Sequence, residues 1–246
     1  MDFPEIDNLQ EHLKPLQDHM KMVAKTMSNV AKRFEPYLES ISNSIKLAFE
    51  QLPESLKLMA SCGWYFSSHM TPGETNYVGK LIENGQFDEA DSFMVEIVTN
   101  HIDFFEKDLC KQYPTRARIL EAAFCNHKKS DYISAIPLFL AQADGICFYH
   151  TKMRIYRSSK GKPEIRKILK ELDPSSFQGL IVSPLMDQSL ITASESKLEK
   201  FHGNLNRHEV LHGVSLTYHT KINSCKAISW IIYVSEFFRN NKSKTY

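Results

Sequence analysis

The apolar positions of the first fifty residues follow a seven-residue repeat. Ile6, Leu9, Leu13, Leu16, Met20, Val23, Met27, Val30, Phe34, Tyr37 and Ile41 alternate spacings of three and four. That spacing draws a narrow apolar seam along one side of a helix, as in a coiled coil. Pro15 and Pro36 interrupt the run, and each is expected to kink or restart the helix. The seam has two readings: an amphipathic helix docked on its own domain, or an arm for self-association or for a protein partner.

Further along, the 3.6-residue period predicts more helices. Residues 53–62 read as a short one with Pro53 in its first turn. A loop at His69-Met70-Thr71-Pro72-Gly73 leads to two helices over 75–111, broken near Asn84-Gly85. Phe87, Ala90, Phe93, Ile97, Ile102, Phe105 and Leu109 mark the apolar side of the second. A helix over 114–128 begins at Pro114, and the strongly apolar 131–150 reads as a central buried helix containing Pro137. Residues 175–202 mix helix and loop. A last helix spans about Lys221 to Arg239, with Ile228, Ile231, Tyr233, Val234 and Phe237 facing the core. No alternating pattern is strong enough to build a sheet, so the expected fold is all-α: a helical bundle with an N-terminal heptad-patterned arm. The expected divisions are 1–52 for the arm, 53–129 for a helical region and 130–246 for a second helical domain.

Composition narrows this little. The 246 residues carry a formal net charge of +1, so bulk electrostatics name no partner. The five cysteines are scattered without a CxxC spacing, which argues against a disulfide framework and favours a reducing, cytoplasmic setting. The N-terminus MDFPEIDNLQ lacks the apolar core of a signal peptide, and no run of about 18 apolar residues suggests a membrane span. Local charge says more. Over 152–170, eight Lys or Arg, among them Arg154, Arg157, Lys160 and Lys162, accompany a single acid, Glu164. The stretch could track a nucleic-acid backbone, with Tyr149 and Tyr156 stacking on bases, or be a solvated loop.

The candidate chemistry lies in Asn204-Leu205-Asn206-Arg207-His208-Glu209-Val210-Leu211-His212-Gly213. Read as His208-Glu209-x-x-His212, it offers two imidazoles to zinc and a carboxylate to activate a bound water. Arg207 beside the ion, Gly213 after the second histidine and Ser215 where an extended zinc motif needs a further histidine all weaken that reading. A distal ligand would have to be Glu236. Read as Arg207-x4-His212, the segment offers a permanent cation for phosphate oxygens and an imidazole for proton transfer, a pair that needs no metal or other cofactor. Five residues of helix turn through roughly 500°, so the two side chains lie about 140° apart. They converge if Arg207 opens the helix, if its side chain wraps round, or if two chains share the site.

Asp144, in an otherwise apolar helix, is costly to bury unless paired. It could orient Arg207 or a motif histidine, or serve an unrelated partner. Asn206 and Asn204 could join the site or only cap the motif helix.

Arg207-His208-x3-His212, late in an all-α chain and ahead of a final apolar helix, resembles the signature of the HEPN superfamily. Asn204, Asn206, Gly213 and the stretch Tyr132-Ile133-Ser134-Ala135-Ile136-Pro137-Leu138-x-Leu140-Ala141-Gln142-Ala143-Asp144-Gly145-Ile146 resemble a group of uncharacterised bacterial HEPN-like proteins. The resemblance covers roughly residues 130–246. It implies a helical homodimer that brings two motifs into one cleft, and a metal-independent endoribonuclease acting as a toxin or antiphage defence effector. Arg207 would then hold the scissile phosphate, His212 would transfer protons, and His208 would orient a partner or bond the phosphate. The alternatives are a non-catalytic RNA- or protein-binding module and, third, a zinc hydrolase.

Overall fold

The computed structural model describes residues 4–159, 162–174 and 176–239, and the side chains of residues 4–17 and 31 lie outside the description. The seam positions Ile6, Leu9, Leu13 and Leu16, and the basic candidate Lys160, therefore fall outside the described residues or side chains. The chain divides into two compact units, residues 1–47 and 48–246.

The first unit is helical. Helix α1, Pro4–Ser61, runs on without interruption through Pro15, Pro36 and Pro53. The expected restarts do not occur, and the helix foreseen over 53–62 is the end of α1. A proline removes one backbone donor, and the remaining bonds of so long a helix carry it across the gap. From residue 18 to 47 every described side chain in this unit is exposed, the apolar seam included; Met27 and Tyr37 are each 68 % exposed.

The second unit holds the core. Leu52, Leu56 and Met59 at the end of α1 are buried. Helix α2, Pro72–Glu83, begins with a capping box in which Thr71 and Glu74 satisfy each other's backbone amides. Helix α3, Phe87–Gln112, follows the turn at Asn84-Gly85. A single 3-10 turn over Pro114–Arg116 leads into α4, Ala117–Lys128. Helix α5, Tyr132–Thr151, is capped by Asp131, whose carboxylate accepts from the Ser134 amide at 3.2 Å. Helix α10 spans Lys221–Arg239, the bounds read from its apolar pattern. It packs against α5 and α3; α4 packs against both of these, and α2 against α3. The all-α expectation holds: among the described residues the one exception is a two-residue antiparallel pair, β1 (Ser158–Ser159) with β2 (Lys162–Pro163).

Helix α10 is buried on all sides from Asn223 to Ser235, the mark of a core helix. Trp230 packs against Tyr65 with tilted rings at a separation of 4.5 Å, and Phe124 meets Phe139 edge-on at 4.9 Å. The polar groups of α10 are partnered, as burial demands. Lys226 pairs with Asp91 at 3.1 Å and lies over the Trp64 ring. Glu236 accepts from the Ser68 amide at 2.8 Å and its hydroxyl at 2.7 Å. Helix α5 has the length and a mean hydropathy of 1.2 that a membrane span would need. Its packing explains that composition: Ile136, Phe139, Leu140, Ala143 and Ile146 are fully buried between neighbouring helices.

His127 shares a 2.7 Å hydrogen bond with Ser224 in the core. Burial, helped by the nearby charges of Lys221 and Lys128, pushes its imidazole down to about 4. The unfolded chain, where a histidine titrates near 6.5, then binds more protons than the folded one between those values. Stability is full above pH 6.5 and falls as pH drops towards 4, by on the order of 3 kcal/mol. Denaturant midpoints from pH 7.5 to 4 should show that slope, and His127→Gln should flatten it.

Candidate anion pocket beside the Arg207 helix

The segment after α5 positions the site. Two short helices, α6 (Arg166–Leu169) and α7 (Phe177–Ile181), follow the strand pair, then α8 (Ser183–Met186) and a 3-10 stretch over Glu195–Lys200. Helix α9, Arg207–Leu211, carries the motif. Asn206 is its N-cap: the side-chain oxygen accepts from the His208 amide at 2.9 Å and the Glu209 amide at 3.3 Å. The Asn206 amide group donates to the carbonyls of Leu190 and Ala193 at 2.8 and 3.1 Å. All its polar capacity is spent on holding the helix in place. Asn204 likewise accepts from Asn223 at 2.8 Å and ties the loop to α10. At the other end His212 is the C-cap, and Gly213, with φ +72°, takes the left-handed turn that a side chain would resist.

Arg207 is the first residue of α9, so its side chain leaves from the helix start. The guanidinium lies 4.8 Å above the ring of Tyr156. Its Nε is buried without a hydrogen-bond partner, and no carboxylate pairs with it among the described residues. Tyr156 is fixed from below: its hydroxyl accepts from the Trp230 indole at 2.8 Å and donates to the Leu140 carbonyl at 3.0 Å. Burial pushes that hydroxyl's pKa up, so it stays neutral. Around this pair opens a cavity of about 390 Å³ lined by Asp144, Arg154, Tyr156, Arg157 and Arg207.

Asp144 has its charge answered locally. One oxygen accepts from Arg154 at 3.0 Å and the other from the Ile155 amide at 2.9 Å. It reaches the pocket but bonds neither Arg207 nor a motif histidine, among the described contacts. Arg157 pairs with Glu164 at 3.2 Å. Two of the three guanidiniums are therefore paired with carboxylates, and Arg207 is the one that has no such partner among the described residues. Lys162 is exposed on β2 and does not line the cavity. Tyr149 is exposed, but Tyr156 serves as the platform for Arg207 instead of offering that face to a base.

The imidazoles of His208 and His212 lie together, ring centres 4.4 Å apart, with His208 half-buried and His212 exposed. Neither lines the Arg207 cavity. Helix geometry gives the reason: the histidines are about 40° apart on the helix, and Arg207 is roughly 100° and 140° away from them. No group of three His, Cys, Asp or Glu side chains that could hold a metal ion occurs among the described residues. Glu236, the distal ligand considered for zinc, is engaged by Ser68.

The stretch around Asp144 also has local explanations. Buried Gln142 accepts from Arg116 at 2.8 Å, and the Gly145 carbonyl accepts from the same guanidinium at 2.9 Å. A Cβ on Gly145 would collide with that guanidinium. Tyr156 and Glu164 were the residues that sequence reasoning misjudged or left as background. They lie 51 and 43 positions before Arg207, and no local spacing signals a partner so far along the chain. Comparison of this chain with protein-family models, with curated proteins and with solved structures finds no match.

Proposed function

We propose that this chain is a metal-independent endoribonuclease of the HEPN type, working as a homodimer on the phosphodiesters of RNA. The observation that carries the reading is Arg207: a guanidinium 4.8 Å above the ring of half-buried Tyr156, without a carboxylate partner among the described residues, at the wall of a cavity with two further arginines. Such a cation is set for the paired oxygens of a phosphodiester, which a guanidinium bonds with two parallel hydrogen bonds. The imidazoles stand at the other side of α9, so a productive site draws Arg207 from one copy and the His208–His212 pair from the other. One imidazole takes the proton of the ribose 2′-hydroxyl, whose oxygen attacks phosphorus. The 5′-oxygen leaves with a proton returned by a protonated imidazole, giving a cyclic phosphate and a 5′-hydroxyl end. In a bacterial cell this is the chemistry of a toxin or an antiphage effector.

Purified protein incubated with total RNA in EDTA should cleave it and leave those ends. Loss of cleavage in chelator with rescue by zinc would transfer the chemistry to the His208-Glu209-x-x-His212 reading. A second reading has its own support, because His212 does not line the Arg207 cavity. Under it the pocket binds RNA without cutting. Salt-sensitive RNA binding with intact RNA after prolonged incubation would favour that module.

A further inference from the structure

We infer that helix α1 is an oligomerisation helix whose occupant is a second copy of this chain, packed along the seam between residues 20 and 45. The seam keeps a strict seven-residue period. Met20, Met27, Phe34 and Ile41 fill one line, and Val23, Val30 and Tyr37 the other. All seven are exposed, with Val23 the least so at 42 %. A straight helix drifts by about 20° per heptad against such a repeat. The stripe stays in line only if the helix supercoils around another helix. A flat lipid surface would call instead for a 3.6-residue period, so the geometry favours a helical partner.

The flanking positions choose among helical partners. Coiled coils select a foreign partner, and reject their own copy, through charges beside the seam. Here one flank carries Ala24, Leu38 and Ile45, and the other carries His19, Thr26, Arg33 and Ser40. The charged residues Lys25, Lys32, Glu35 and Glu39 sit away from the seam. Arg33 alone does not discriminate, so nothing stops the helix from pairing with its own kind. Size agrees. Together with Leu38 and Ile45, the seam offers nine large apolar side chains, and at roughly 100 Å² each they amount to somewhat under 1,000 Å² per copy. A stable interface needs about 800 Å² per partner, while the largest apolar patch on a typical monomer is about 300–600 Å². The apolar flank at Ala24, Leu38 and Ile45 widens the stripe to the three-in-seven face of a helix with more than one neighbour. A bundle of three or four copies fits it as well as a pair.

The inference stands apart from RNA chemistry, since a copy-to-copy seam is read by mass and not by cleavage. Light scattering of the full chain after size exclusion at about 20 µM should return a multiple of the 28.4 kDa chain mass. The double variant Met27→Glu/Phe34→Glu should shift to the single-chain mass while its core unfolds with the wild-type midpoint, which shows that the second unit is intact. A matched control, Lys25→Glu/Lys32→Glu, changes charge off the seam and should keep the wild-type mass. A monomeric wild type, or a seam variant that retains the wild-type mass, overturns the inference. So does a monomer in solution that binds vesicles of anionic lipid through the seam.

Discussion

Arg207→Ala and His212→Ala should each remove RNA cleavage while leaving the fold in place. The expected loss for His212→Ala is about 10²–10⁴-fold, the usual worth of a positioned general acid or base. Neither side chain supports the core: His212 is exposed, and the Arg207 guanidinium makes no ion pair among the described residues. The thermal midpoints of both variants should therefore stay near wild type. The separation of the two groups around α9 allows a sharper result. If one site draws Arg207 from one copy and His212 from another, mixing the two inactive proteins restores activity. In a dimer, half the exchanged molecules carry one mutant of each kind, and each has one of its two sites intact, so recovery should approach about a quarter of wild type. Two sites each complete within one chain would give no recovery. Glu209→Ala is the counter-test. Its side chain has no part in the phosphate reading, so a loss exceeding that of His212→Ala would favour metal-bound water as the nucleophile.

The fold was largely legible because its helices are strongly periodic and their ends carry local signals. The bounds of α10 follow from an apolar run bracketed by polar residues, and the break between α2 and α3 from Asn84-Gly85. Prolines misled. Pro36 was expected to kink or restart the helix because intrinsic propensity penalises it, yet in a helix as long as α1 one missing donor does not end the run. The site was half legible. Arg207, Asp144, Arg154 and Arg157 do meet at one cavity. Which acid pairs with which base depended on contacts seven to eleven residues apart within the 144–164 segment, and Asp144 chose Arg154 and the Ile155 amide over Arg207. Asn206 illustrates the ordinary outcome for a polar residue ahead of a helix: its bonds are all structural. Arg207 does open its helix, one of the arrangements expected to let it meet His212, yet it lines the cavity while His212 does not.

Trp230→Ala should be the most damaging single change in the second unit, at about 3–5 kcal/mol for an indole removed from a packed core. The residue is fully buried and packed against the Tyr65 ring, and its indole N–H is bonded to Tyr156. For a unit of this size that loss lowers the thermal midpoint by roughly 2–4 °C per kcal/mol. The same residue links the core to the pocket, because the tyrosine it bonds carries Arg207 on its ring. Two milder variants separate these roles. Tyr156→Phe keeps the platform but leaves the buried Trp230 donor without its partner, which costs about 1–3 kcal/mol. Its affinity for RNA should stay close to wild type. Tyr156→Leu removes both the hydroxyl and the aromatic face, so it should lose comparable stability and, in addition, weaken RNA binding by freeing the guanidinium to move. Equal RNA affinity in the Phe and Leu variants, measured by anisotropy at fixed salt, would mean that the ring does not position Arg207. Arg207 would then bind its anion without help from the ring, or share it with Arg154 and Arg157, whose guanidiniums keep N–H donors beyond the one each gives to its carboxylate.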